Sequence, residues 1–132
     1  MKIDTSGLVD WRKLREFAAV ELDHSFILSW RFESETLMID IDVRLSPAHP
    51  FYEKPRPAEQ VCIRPAIIEF PHCESLTVDG NESASIAEAA EGLGHGAIQG
   101  MQVHEDGRYE ISGKFGTVFV TADRPILKLK GT

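Results

Sequence analysis

The chain has 132 residues, of which 42% are hydrophobic and 27% charged, and its formal net charge at pH 7 is -7. This length fits one domain over residues 1–132, with the composition of an ordinary globular protein. The acidic balance argues against nucleic acid as a partner, because phosphate contacts need a surplus of lysine and arginine, and no apolar run approaches the roughly 18 residues of a membrane helix.

The first residues contain no apolar stretch of the kind found in a signal peptide, so we expect a cytoplasmic protein with no membrane partner. In that reducing compartment the two cysteines, Cys62 and Cys73, are expected to be free and partly buried thiols. Residues 10–18 predict a short helix that covers one end of a sheet. Its expected N-cap is Asp10, and its apolar face is formed by Trp11, Leu14 and Ala18.

Residues 25–45 predict a β-hairpin, because large apolar residues occupy every second position on either side of the polar segment 33–36. Such a hairpin has one buried face, and its register is fixed by the turn. The expected pairs on that face are Phe32 with Leu37, Trp30 with Ile39, Leu28 with Ile41, and Phe26 with Val43.

Residues 46–60 predict a long loop, since four prolines exclude both a helix and a central strand. Loops of this length in a small domain are commonly functional. The candidate partner-binding residues are His49, Phe51, Tyr52 and Glu53. Aromatic side chains on a loop restricted by proline suit a protein contact, because less freedom is lost on binding. The alternative is that both rings fold back and cap the core.

Two further strands are expected at residues 61–70 and 76–78. In the first, Val61 and Ile63 differ in parity from the later apolar residues, which predicts a bulge at Pro65. An Asp79-Gly80 turn then follows. Residues 83–93 predict a second helix, with Ser85 and Glu88 at the spacing of a capping box. The glycines at 92–96 follow this helix, so they indicate its end rather than a phosphate-binding loop.

Residues 97–121 predict an antiparallel set closed by turns at 105–107 and 113–116. The expected pairs are Val103 with Tyr109, Met101 with Ile111, Ile111 with Val118, and Tyr109 with Val120. A last strand at 126–130, with Lys128 and Lys130 outward, suits a sheet edge. The fold expected is mainly β (α+β), an antiparallel β-sandwich or a curled, barrel-like sheet of about eight strands with two short helices.

Chemically active residues do not form a strong motif. Glu69, His72 and Cys73 are close in sequence and could contribute to a zinc site, but the histidines lack metal-binding spacing and a plain strand end accounts for all three. Asp40 and Asp42 predict surface ion pairs with nearby arginines rather than a catalytic pair. The sequence therefore predicts no catalytic residue, no metal and no cofactor.

Three segments carry a resemblance to known proteins. Glu21 to Leu28 leads into the hairpin, Ile67 to Phe70 is followed by Leu76 to Val78, and Tyr109 to Gly116 comes near the end. This order is similar to small bacterial β-rich domains of unknown function, including some immunity proteins of polymorphic toxin systems. The resemblance implies an acidic cytosolic inhibitor that binds a toxin, and it carries over no catalytic residue.

The function expected is a non-enzymatic protein-binding domain, immunity-like, with a protein partner that is basic. The alternative is a small-molecule-binding domain or a small enzyme that uses a pocket beneath the loop 46–60. A metal-dependent enzyme ranks third.

Overall fold

A computed structural model describes residues 9–54, 61–82 and 85–130 of the chain. It contains ten β-strands, one α-helix and two 3₁₀ turns. The strands are β1 (Val9–Asp10), β2 (Val20–Glu33), β3 (Thr36–Leu45), β4 (Cys62–Phe70), β5 (Ser75–Val78), β6 (Asn81–Glu82), β7 (Gly96–Val103), β8 (Tyr109–Gly113), β9 (Gly116–Thr121) and β10 (Ile126–Leu129). The helix α1 is Ile86–Gly92, and the 3₁₀ turns are Trp11–Lys13 and Arg15–Phe17.

All the strands belong to one antiparallel sheet in the order β10-β4-β3-β2-β7-β8-β9-β5-β6, with β1 paired to β7. Strand β7 joins the two halves of this sheet. Its first residues, Gly96 and Ala97, pair with β2, and its later residues pair with β8. A register shift between Ile98 and Gly100 lies at the change of partner. Irregularities of this kind bend a strand, so β7 is where the sheet turns over.

The curled sheet encloses one hydrophobic core. The rings of Phe70 on β4 and Tyr109 on β8 lie 5.2 Å apart, although three strands separate them in the sheet. Trp30 on β2 meets Phe115, next to β9, with ring centroids 5.3 Å apart. Within the described residues the end strands β10 and β6 do not pair with each other, so the sheet stays open. The prediction of a mainly antiparallel β fold is confirmed.

The central hairpin of β2 and β3 follows the predicted register near its turn and departs from it farther along. Phe32 pairs with Leu37 and Trp30 with Ile39, as expected. A bulge then places both Leu28 and Ser29 against Asp40, so that Ile27 pairs with Ile41. The predicted pairing of Leu28 with Ile41 is wrong for this reason.

The bulge also exchanges the buried and exposed side chains of β2. Ile27 is fully buried, whereas Phe26 and Leu28 are 41% and 46% exposed. Phe26 pairs with Asp42 instead of the predicted Val43. Two side chains assigned to the core from alternation therefore lie on the outer face of the sheet.

Strand β4 contains no bulge, contrary to the prediction. Its register against β3 is continuous from Cys62 to Phe70, and Ile63 faces outward. Pro65 fits this regular strand because its backbone faces the end of β10. The amide of Lys130 donates to the Pro65 carbonyl at 2.9 Å, beyond the last residue of β10. Proline has no amide hydrogen, so it cannot donate a hydrogen bond toward β10. The missing bond falls just beyond Leu129, where the pairing of β4 with β10 has already ended.

The C-terminal strands agree with the predicted registers. Val103 pairs with Tyr109 and Met101 with Ile111, and β9 pairs with β8 as expected. Gly107 has φ 91°, the left-handed conformation that the turn at 105–107 requires. Strand β10 lies at the sheet edge with Lys128 and Lys130 exposed, as predicted.

The helical predictions are only partly correct. Residues 11–17 form two short 3₁₀ turns, and Phe17 rather than Ala18 is buried with Trp11. Asp10 does cap the first turn, accepting from the Arg12 amide. Ser85 caps α1 as predicted, and the helix buries Ala89 and Ala90. Among the described residues no helix is both long and apolar enough to span a membrane.

Replacing Trp30 with alanine should lower the free energy of unfolding by about 3–5 kcal/mol, because the ring packs in the core. Trp30 is 6% exposed and its Nε1 donates to the Gly94 carbonyl at 2.8 Å. Chemical denaturation measures the change.

Leu28→Ala is the control for the register of the hairpin. Because the bulge turns Leu28 outward, its loss should change the free energy of unfolding by less than about 1 kcal/mol. A loss of about 2–5 kcal/mol would mean that Leu28 is in the core and that the bulge is misplaced.

Candidate functional site

The first part of the loop that follows β3 is held by hydrogen bonds within the loop itself. The His49 amide donates to the Ser46 carbonyl and the Tyr52 amide to the His49 carbonyl, both at 3.0 Å. The Phe51 amide donates to Nδ1 of His49, also at 3.0 Å. Burial lowers the pKa of His49, which favours the neutral imidazole that can accept this bond. Residues 46–52 therefore form a compact double turn.

The two aromatic residues of this loop have different surroundings. Phe51 is 53% exposed, whereas Tyr52 is partly buried and packs against the core. The hypothesis that both rings contact a partner thus fits Phe51, and the alternative that they cap the core fits Tyr52. Glu53 is exposed, with its carboxylate 3.7 Å from the Arg64 guanidinium. Arg64 also donates to the Phe51 carbonyl at 3.4 Å, which attaches the loop to β4.

A cavity of about 540 Å³ lies where this loop begins. Phe17 and Val20 form its apolar wall, and Arg12, Arg44 and His24 contribute polar groups. Both arginines are paired with acids: Arg12 with Asp23 at 3.0 Å, and Arg44 with Glu21 at 2.7 Å. Ser46 is the residue among 46–54 that lines it, and its other walls come from residues 12–24 and Arg44.

The outer face of the central hairpin carries the ion pair predicted for Asp40, with Arg31. The ion pair predicted for Asp42 is wrong among the described residues, because the nearby Arg44 pairs with Glu21 instead. Asp40 accepts hydrogen bonds from Lys130 at 2.9 Å, from Ser29 at 2.8 Å and from Arg31 at 3.2 Å. Burial acts to raise the pKa of Asp40, but these three donors outweigh it and hold the pKa below its ordinary value. Asp40 is thus an ionised surface group that ties β10 to β2 and β3.

The structure does not bring Glu69, His72 and Cys73 together. Glu69 faces outward and pairs with Lys128 at 3.1 Å. Cys73 is buried, and burial raises the pKa of its thiol to about 11, so it is a poor nucleophile at neutral pH. Within the described residues no three metal-binding side chains converge.

His72 instead forms an exposed pair with Asp123. Its Nδ1 lies 2.7 Å from the Asp123 carboxylate, and its backbone is left-handed, with φ 50°. The pair lines an open depression with Glu35, Cys73 and Glu74. It connects the segment after β4 to the turn before β10, which the Asp123 amide also joins by donating to the Pro71 carbonyl at 2.8 Å.

Comparisons of the chain with protein-family models, with curated proteins and with solved structures find no match. The candidate functional residues are therefore identified from their geometry and chemistry. The arginines of the cavity and the exposed Phe26 and Leu28 were missed by sequence reasoning. For Phe26 and Leu28, the alternation of apolar residues predicted a position in the core.

The His72–Asp123 pair should make stability depend on pH. Hydrogen bonding and charge from Asp123 raise the pKa of His72. The folded protein then holds the proton more tightly than the unfolded chain does. The stabilisation is therefore complete below about pH 6.5 and disappears as the pH rises through the raised pKa.

Asp123→Asn should accordingly lower Tm at about pH 5.5 and leave it nearly unchanged at about pH 9. An NMR titration should show the pKa of His72 returning toward its ordinary value in this variant. An unaltered titration would show that the pair does not form in solution.

Proposed function

We propose that this protein is a non-enzymatic protein-binding domain that recognises a basic partner through the loop at residues 46–54. The observation that carries the proposal is the side chain of Phe51, which stays 53% exposed while its backbone is held on both sides. A large apolar side chain in a fixed position loses little freedom on binding and gains much contact area. These are the properties of an anchor residue in an interface.

Charge supports a basic partner. The net charge is -7, and Glu53 next to the anchor is exposed. Long-range attraction of this kind raises the rate at which oppositely charged proteins meet. We extend the proposal to inhibition of a toxin, the role implied by the resemblance to immunity proteins. The acidic charge supports this role in the same way as it supports a basic partner in general.

Phe51→Ala and Tyr52→Ala should separate the anchor from the core. Phe51→Ala should leave the free energy of unfolding within about 0.5 kcal/mol of wild type, as is usual at the surface. Tyr52→Ala should lower it by about 1–3 kcal/mol, because part of the ring is buried. Chemical denaturation of the two variants provides the comparison, and a large loss for Phe51→Ala would place this ring in the core instead.

The interaction itself is tested by photo-crosslinking in the native cell. A benzophenone amino acid at position 51 should give a defined adduct with one basic protein. The same group at the exposed Ile126 serves as the control and should not. Mass spectrometry of the adduct identifies the partner, and a toxin domain there would support the inhibitor role. The same adducts from both positions, or none from either, would contradict the proposal.

The cavity at the start of the loop favours a second candidate function, the binding of a small molecule. Its volume of about 540 Å³ is within the usual range of ligand sites, and it combines an apolar wall with charged groups. Ligand-observed NMR with a library of small carboxylic acids and amines tests it. A hit that is lost in Arg44→Ala but kept in Phe51→Ala would favour this function over the loop contact.

A further inference from the structure

One row of residues crosses four strands on the outer face of the sheet. Pro65 on β4 pairs with Asp42 on β3, Asp42 pairs with Phe26 on β2, and Phe26 pairs with Ala97 on β7. Pro65, Phe26 and Ala97 are all exposed. Neighbouring strands are about 4.8 Å apart, so the row is about 14 Å long.

Two more apolar side chains enlarge this row into a patch. Leu28 lies on the same side of β2 as Phe26, and Ile63 precedes Pro65 on the same side of β4. They are 46% and 51% exposed. We call the six residues the outer patch: Phe26, Leu28, Asp42, Ile63, Pro65 and Ala97. Isolated apolar residues are normal at a protein surface, but a contiguous group marks a contact site.

The position of Phe26 and Leu28 is imposed by the backbone. The bulge in β2 turns Leu28 and Ser29 to the same side, and Ser29 then donates to Asp40 at 2.8 Å. Without the bulge, alternation would bring Leu28 to the core side and leave Ile27 outside. Bulges redirect side chains in this way next to functional sites.

The charge at the centre of the patch defines the chemistry of its occupant. Within the described part of the chain, Asp42 makes no ion pair. Its neighbours are already paired, Asp40 with Lys130 and Arg31, and Arg44 with Glu21. Asp42 is thus a carboxylate that apolar side chains flank on both sides and that a cation from outside can reach.

We propose that the outer patch docks a basic protein segment that places a lysine or arginine on Asp42 and apolar side chains on Phe26, Leu28 and Ile63. A second copy of this chain is the poorer occupant. Its net charge of -7 would oppose association, and a two-fold contact centred on the patch would bring two Asp42 carboxylates together. This inference goes beyond the proposed function because it uses a separate surface from Phe51.

The probe is a fluorescein-labelled synthetic peptide in which lysines and leucines form an amphipathic segment, with a glutamate-for-lysine version as the charge control. Fluorescence anisotropy should show saturable binding of the lysine peptide alone. Phe26→Ser and Leu28→Ser should each weaken binding about tenfold, as expected for anchor residues. Asp42→Asn should weaken it about threefold to tenfold, and added salt should reduce this difference.

Ile126→Ser is the matched control, since Ile126 is 40% exposed at the sheet edge and outside the patch. It should leave the dissociation constant within about twofold of wild type, well below the change expected at an anchor. Amide chemical shifts in the wild type should move at the patch residues other than Pro65. Far-UV circular dichroism should confirm that every variant is folded.

Four results would overturn the inference. One is the absence of saturable binding by the lysine peptide. The second is equal weakening by Ile126→Ser and Phe26→Ser. The third is a dimer in sedimentation experiments that Phe26→Ser dissociates, which would assign the patch to a second copy. Binding that changes only in Phe51→Ala would also reject the outer patch while leaving the loop contact intact.

Discussion

The buried hydroxyl of Ser25 fixes the path of β2, and the surface of the protein depends on that path. Its Oγ donates to the Glu21 carbonyl at 2.9 Å and accepts from the Arg44 amide at 3.0 Å. It thereby replaces ladder bonds where the register against β3 shifts between Glu21 and Phe26. A buried polar group with both its bonds made holds one conformation, because any other would leave it unpaired. Ile27 is then directed into the core and Phe26 away from it.

The loop, the cavity and the outer patch all lie toward one end of the β2–β3 pair. Asp42 is three residues from Leu45, where β3 ends and the loop begins, a distance of about 10 Å along a strand. The cavity is between them, lined by Glu21, Arg44 and Ser46. The opposite end, with the His72–Asp123 pair, is held together by internal contacts.

Sequence patterns predicted the pairing of neighbouring strands correctly wherever a turn fixed the register. The three-residue loop ending at Gly107 accepts only one pairing of β7 with β8, and the structure shows that pairing. The same holds for β2 and β3 close to their turn, where Ser34 and Glu35 both have positive φ. From there the register could be counted residue by residue until an irregularity occurred.

The wrong predictions concern positions whose burial is not determined by the residues next to them in the sequence. Ile27 and Leu28 are equally suited to the core, and only the hydrogen bonds of Ser25 and the pairing with β7 select Ile27. In β4, the partner strand fixes the position of Pro65, and no local pattern reports it. Phe51 and Tyr52 are adjacent aromatics on one loop, so which ring is exposed depends on the body of the protein beneath them.

Strand β10 covers an edge of the sheet that stays open while the chain is being synthesised. Strand β4 is rich in isoleucine, and an unpaired edge of this kind is a template for aggregation with other chains. β10 occupies that edge at residues 66–69 and adds the ion pair of Lys128 with Glu69. It is translated long after β4, so each nascent chain has an open edge until residues 126–129 leave the ribosome. A product that stops before this short strand would keep the edge open and become a substrate for chaperones and proteases.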